Sequence, residues 1–181
     1  MNIIKIIIAN MCNTRGLKNE KKHNYKKALR YYNLATKIYP DFHMAYYNTG
    51  NLFTSLQQYD MAIKNYNKAI RLKDGYSEAY NNLGRVFLVT KRNDLAIESF
   101  AHAITSDPNN AEAYSNLGTV YLGQQQYDEA IELFTKAINC NSYKTYSFYY
   151  NRGTAYGMKG DIIKAIDDFS KSIEMNPAFT E

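Results

Sequence analysis

An asparagine recurs at regular intervals along this chain, and its amide side chain is suited to binding a peptide. The intervals between the four asparagines are 34, 34 and 35 residues. An amide offers N–H donors and a carbonyl acceptor, which suit the backbone of an extended peptide whatever its side chains are. The same amides could instead bond to neighbours inside a packed stack, and the sequence leaves both interpretations open. The four residues are Asn48, Asn82, Asn116 and Asn151.

The residues around each asparagine indicate how the chain is organised. A glycine follows two residues later, with aromatic residues four before and three after it, as at Tyr46, Gly50 and Phe53 in the first copy. An alanine stands twelve residues after the glycine and another aromatic residue four further on, at Ala62 and Tyr66 in that copy. Residues three and four apart share a helix face, so each copy predicts two helices. A period in this range is typical of a stack of helix pairs. The glycines are Gly50, Gly84, Gly118 and Gly153.

These copies resemble the tetratricopeptide repeat family. The runs AYYNTGNLF, AYNNLGRVF, AYSNLGTVY and YYNRGTAY, each followed by a small–aromatic–small second helix, match the family pattern from about Tyr25 to Pro177. Two copies depart from it, because Thr49 and Arg152 stand where the others have leucine. The resemblance implies an all-α fold, a right-handed superhelical solenoid of stacked antiparallel helix pairs, about five in number.

The first of the five repeats is degenerate. Gly16 lies 34 residues before Gly50, and Ala28, Tyr32 and Ala35 follow it at the expected offsets, but its first helix lacks the aromatic residues. The predicted segments are 1–42, a degenerate N-terminal repeat and basic cap, and repeats at 43–76, 77–110, 111–145 and 146–179. Apolar residues also recur at helical spacing near the N-terminus, at Ile3, Ile4, Ile7, Ile8 and Met11.

The last predicted helix carries Ile166 and Ile173, and no polar capping helix follows it in this sequence. Stacked arrays need polar terminal repeats for solubility. We therefore expect that the array continues beyond the chain or that copies associate end to end.

In the family, the first helix of each pair lines a concave groove, so the resemblance implies that the four asparagines form a ladder along that groove. The predicted groove is mostly polar, and Arg85 is its clearest cation. Family members that capture a chaperone's C-terminal carboxylate use basic residues where this chain has Tyr47, Glu112 and Asn116, which predicts against that function. The other predicted groove residues are Tyr47, Asn51, Asn81, Arg85 and Tyr150.

The sequence predicts no catalytic, metal or cofactor site. None of His23, His43 and His102 has a Cys, His or carboxylate at ligand spacing, and no nucleophile motif or phosphate-binding loop is present. We therefore expect a non-catalytic protein-interaction scaffold or adaptor that binds an extended peptide or helix in the groove. The alternative is the substrate-recruiting arm of a larger enzyme such as a glycosyltransferase.

The charge distribution and the cysteines indicate which classes of partner and which compartment to expect. Residues 1–39 hold nine Lys/Arg and one Glu, a net +8, which predicts either a solvated polar cap or a docking patch. No base-stacking pattern accompanies the charge, and no stretch nears the ~20 apolar residues that span a bilayer, so we favour the polar cap over nucleic acid or membrane partners. Cys12 and Cys140 have no CxxC partner, which predicts reduced thiols and a cytoplasmic protein.

Overall fold

A computed structural model describes residues 2–140 and 142–176, and every regular element in these residues is an α-helix. The prediction of an all-α chain built of helix pairs is confirmed. The helices fall into two compact units, residues 1–90 and 91–181. The first unit holds α1 (Asn2–Glu20), α2 (Tyr25–Ile38), α3 (His43–Ser55), α4 (Tyr59–Leu72) and α5 (Ser77–Val89). The second holds α6 (Asn93–Ser106), α7 (Ala111–Gly123), α8 (Tyr127–Asn139), α9 (Thr145–Lys159) and α10 (Ile162–Met175).

In the first unit, Gly16 and Gly50 each face an aromatic ring from the next helix. A Cβ built on Gly50 of α3 would lie 2.6 Å from Cε1 of Tyr66 on α4, closer than van der Waals contact allows. Gly16 of α1 meets the ring of Tyr32 on α2 in the same way, at 2.4 Å. Both tyrosine rings are fully buried. The degenerate first repeat therefore packs its two helices as the second repeat does.

The second unit repeats this arrangement with phenylalanine. A Cβ on Gly118 of α7 would lie 2.9 Å from the ring of Phe134 on α8, and a Cβ on Gly153 of α9 would lie 3.0 Å from Phe169 on α10. A glycine inside a helix costs about 1 kcal/mol relative to alanine. The close approach of the ring explains why the sequence retains it.

The isoleucines of α1 form the predicted helix but lie on its solvent side. Ile3 and Ile4 are 73% and 66% exposed. The buried side of α1 carries Ala9 and Cys12, which pack in one cluster with Ala35 of α2, Ala45 of α3 and Phe42, the residue just before α3. Small residues on this side let the helix axes approach closely.

Candidate functional site

Three asparagines of the ladder donate a hydrogen bond to a side chain of the preceding repeat. Nδ2 of Asn48 lies 2.8 Å from Oδ1 of Asn13, Nδ2 of Asn82 lies 3.0 Å from the hydroxyl of Tyr47, and Nδ2 of Asn151 lies 3.2 Å from Oγ of Ser115. The three acceptors, Asn13, Tyr47 and Ser115, each stand one residue before the position in their own repeat that corresponds to the ladder asparagine. The structure thus gives these amides the within-stack role that the sequence left open.

The predicted groove residues differ in how accessible they are. Asn48 and Asn81 are 8% and 4% exposed, so neither amide is available to a ligand in this conformation. Asn116 is half-buried on α7. Tyr150 is 47% exposed in the second unit, with its ring 5.5 Å from that of Phe169.

Three predicted groove residues meet at one cavity of the first unit. This cavity lies beside α3, α4 and α5 and has a volume of about 380 Å³. Asn51 comes from α3, whereas Asn82 and Arg85 come one turn apart on α5 and therefore share a face of that helix. The full lining is Asn51, Thr54, Ser55, Tyr66, Asn82 and Arg85.

Hydrogen bonds on the cavity wall fix the orientation of Asn51. Its Oδ1 accepts from the hydroxyl of Tyr66 at 2.8 Å and from Nδ2 of Asn82 at 2.9 Å, which uses both lone pairs of that oxygen. The Tyr66 hydroxyl also lies 3.1 Å from Oγ1 of Thr54. Among the described residues, neither Nδ2 of Asn51 nor Oδ1 of Asn82 makes a hydrogen bond, so one donor and one acceptor of this network are left over for a ligand.

The charges at the cavity are one-sided. Burial raises the pKa of Tyr66 to about 12, although its hydrogen bond with Thr54 and the positive charge of Arg85 act against the shift. Tyr66 is therefore a neutral donor at neutral pH. Arg85 is exposed and has neither a hydrogen bond nor an ion pair in the part of the chain that the structure describes. The cavity thus carries a cation without a counter-ion.

Tyr66 is the residue of this site that sequence reasoning assigned only to the core. Its ring packs against Gly50 as expected, but its hydroxyl forms part of the cavity wall. The available signal was the residue type, since the equivalent positions in the later repeats hold Phe100, Phe134 and Phe169, which have no hydroxyl.

Over residues 2–140 and 142–176, no three His, Cys, Asp or Glu side chains are grouped so that they could hold a metal ion. No helix in those ranges combines the length and the apolar character needed to cross a membrane.

Comparison with protein families finds repeats along most of the chain. A model described as tetratricopeptide repeat matches residues 75–142 and again 110–178, which together exceed half of the chain. A model described as TPR repeat matches residues 50–89, and a Sel1 repeat model matches residues 8–37, within the segment that the sequence marks as degenerate.

Individual proteins are similar over shorter or more divergent stretches. Uncharacterized protein MJ0572 of Methanocaldococcus jannaschii is 42% identical over 38 residues, and the match spans only 44% of that relative's length. The crystal structure of MamA shares 26% identity and a TM-score of 0.77 over 94% of this chain and 92% of that one. YrrB, described as a TPR protein with an unusual peptide-binding site, shares the fold at a TM-score of 0.70 and 23% identity, over 92% and 86% of the two chains.

Proposed function

Because this chain belongs to the tetratricopeptide repeat family, we propose that it is a protein-interaction scaffold whose first unit binds an extended peptide on its first helices. The cavity beside α3, α4 and α5 is the observation that carries this proposal. It offers the Nδ2 donor of Asn51, the Oδ1 acceptor of Asn82 and the cation of Arg85, whereas the hydroxyls of Thr54, Ser55 and Tyr66 in its wall are hydrogen-bonded. Pre-formed concave sites with a few convergent polar groups are the usual binding sites of proteins.

Two further points support a peptide as the ligand. The wall is held by hydrogen bonds among Asn51, Tyr66 and Asn82, so the site is organised before the ligand arrives, which reduces the entropy cost of binding. YrrB, which shares the fold, is itself described as having a peptide-binding site. The proposed contact residues are Asn51, Asn82 and Arg85, with Tyr47 behind them and Tyr150 as a separate exposed ring in the second unit.

The proposed role is non-catalytic. The cavity wall combines amides, hydroxyls and a guanidinium, a set that binds and orients a chain but contains no paired nucleophile and base. The alternative, an arm that recruits a substrate to a larger enzyme, would use the same surface. In that case the cavity would bind a peptide in the same way, and only the protein to which the chain is attached would differ.

A selection from a random peptide library against the full chain tests the proposal. We expect it to yield peptides that bind with micromolar affinity, measured by fluorescence anisotropy. Ser55→Trp should abolish binding of these peptides, because the indole would fill the cavity at its edge. The matched control is Ser170→Trp, which changes a serine that is also exposed, on α10 of the second unit. Failure to select any peptide tighter than about 100 µM, or equal binding by both variants, would refute the proposal.

Exposed apolar faces favour a second proposal, the association of copies of this chain. Isoleucines are exposed on α1 of the first unit and on α10 of the second, including Ile163 and Ile166. Residues 1–90 carry fourteen Lys/Arg and five Asp/Glu, a net +9, and residues 91–181 carry eight and twelve, a net −4. These opposite charges would draw the first unit of one copy towards the second unit of another.

Light scattering should show a mass that rises with protein concentration, and the double variant Ile163→Glu/Ile166→Glu should have the mass of the monomer. A monomer at every concentration would rule the association out.

A further inference from the structure

We propose that α10 of one copy packs on α1 of another copy in the register that the second helix of a repeat uses to pack on the first helix of the next repeat. This inference rests on the proposed association of copies and names the two surfaces that meet. Because the two surfaces differ, each contact leaves one α10 and one α1 unused at the ends of the assembly, so further copies can add.

The contact between successive repeats has the same composition in three places of the described chain. In each place, an alanine of the second helix shares a buried cluster with an apolar residue at the start of the next first helix. Small residues at this position let the two helix axes approach closely. The clusters contain Ala35 with Phe42 and Ala45, Ala69 with Tyr76 and Ala79, and Ala137 with Phe148.

Helix α1 carries the first-helix side of this contact on an exposed surface. Met11 stands 34 residues before Ala45, and Ile8 stands 34 residues before Phe42. Ala45 and Phe42 are 0% and 6% exposed, whereas Met11 and Ile8 are 51% and 41% exposed. The side of α1 that corresponds to the covered side of α3 is therefore apolar and open to solvent.

Helix α10 carries the second-helix side of the contact. Ser172 stands at the position of the alanine, so a small residue is kept there. The next residue, Ile173, corresponds to Ile70 and Ile138, which pack partly buried against the clusters formed with the next first helix. Ile173 is instead 46% exposed, and Ile166, two turns earlier on the same face, is 60% exposed. This face of α10 therefore has the composition that covers a first helix elsewhere in the chain.

Charge and one polar pair favour a second copy as the partner. Residues 1–90 have a net charge of +9 and residues 91–181 a net charge of −4, which attracts the first unit of one copy to the second unit of another. Arg15 of α1 stands at the position of Arg152, whose Nη1 donates to Thr135 of the preceding second helix at 2.9 Å. The residue of α10 that corresponds to Thr135 is Ser170, which is exposed and also has a hydroxyl. A second copy thus supplies both the apolar surface and the hydroxyl acceptor at the positions that this register requires.

The experiment mixes two variants that each lack one of the two surfaces. Ile8→Glu/Met11→Glu alters α1 and Ile166→Glu/Ile173→Glu alters α10, and all four residues are exposed, so both variants should keep the helical circular dichroism of wild type. At a concentration at which wild type exceeds the mass of a dimer by light scattering, each variant alone should have the mass of the monomer. An equimolar mixture should reach the mass of a dimer and no more, because one intact α10 joins one intact α1 and no intact surface is left.

Ile163→Glu is the matched control on α10. Ile163 is 83% exposed, but the corresponding residues of earlier repeats are exposed too, so this position lies outside the repeat contact. The single variant should associate as wild type does. The corresponding residues are Asp60, Asp94 and Asp128.

Serine in place of glutamate at the four contact positions repeats the mixing test without added charge and should give the same masses. Association of either contact variant by itself, or a mixture that stays monomeric although wild type associates, would overturn this inference alone. So would a loss of association in Ile163→Glu equal to that in Ile166→Glu/Ile173→Glu. A wild-type chain that is monomeric at every concentration would refute the underlying association of copies instead.

Discussion

Breaking the buried ion pair between Arg152 and Asp168 should destabilise the second unit far more than replacing both residues with leucine. Nε and Nη2 of Arg152 donate to the two carboxylate oxygens of Asp168 at 2.7 and 2.9 Å, and Nη1 donates to Thr135 at 2.9 Å. The hydrogen bonds to Asp168 raise the pKa of the Arg152 guanidinium further. This pair accounts for Arg152, one of the two departures from leucine in the repeat pattern.

The exposure of the two side chains sets the size of each effect. The Asp168 side chain is 2% exposed, so Arg152→Leu leaves an uncompensated carboxylate in the interior and should cost about 3–5 kcal/mol. The Arg152 side chain is 16% exposed, and its guanidinium also lies over the rings of Tyr149 and Tyr156. Asp168→Leu should therefore cost less, about 2–3 kcal/mol.

The double variant Arg152→Leu/Asp168→Leu recreates residues that the preceding repeat already has, namely Leu117 and Leu133. Apolar replacement of a buried ion pair is often neutral or stabilising, so we expect the double variant to lie within about 1 kcal/mol of wild type, well below the sum of the single changes.

Urea unfolding of the full chain, followed by far-UV circular dichroism, measures all three variants. Lys171→Leu is the control, because it breaks the exposed Lys171–Asp167 pair on the same helix and should leave the midpoint unchanged. A double variant that loses as much stability as the two single variants together would refute the reasoning, as would Arg152→Leu with a midpoint equal to that of wild type.

Two further predictions concern packing and pH. Gly118→Ala should destabilise the chain by about 1–3 kcal/mol, because the added methyl group would clash with the Phe134 ring. Gly123→Ala in the same helix should raise stability by up to about 1 kcal/mol, because a Cβ there would meet no atom within 4 Å. Thermal melting temperatures that change equally in the two variants would contradict this prediction. Burial, together with the charge of Lys73, lowers the pKa of His43 below its unfolded value of about 6.5. The unfolded state then binds more protons, so this residue makes stability fall as the pH drops below about 6.5. His43→Gln should remove that component, and parallel pH profiles for wild type and variant would count against it.

The repeat period predicted the helices because packing against a neighbour imposes the same spacing on every copy. The ring of Tyr66 against Gly50, and that of Tyr32 against Gly16, follow from residue type and offset alone. The role of the asparagines did not follow, because it depends on the residue one place before each ladder position. Asn13, Tyr47 and Ser115 share no residue type, only a polar atom within reach of the amide.

The cavity was likewise only half predictable. Asn51, Asn82 and Arg85 were placed on the groove side by register, but which of their polar atoms remain free depends on hydrogen bonds across three helices. The Tyr66 hydroxyl decides this, since it occupies the Asn51 oxygen and so leaves the nitrogen free. The isoleucines of α1 gave a clear helical period but no sign of which side of the helix would be covered.

In the four described cases, the glycine and the ring that it receives are sixteen residues apart and belong to one repeat. A gene segment that encodes one repeat therefore carries both partners of its closest contact. Duplication or deletion of such a segment would not separate a ring from its glycine, and the amide of the next repeat would still find a polar side chain before it. The length of such a chain can consequently change during evolution by whole repeats without a new core having to be assembled.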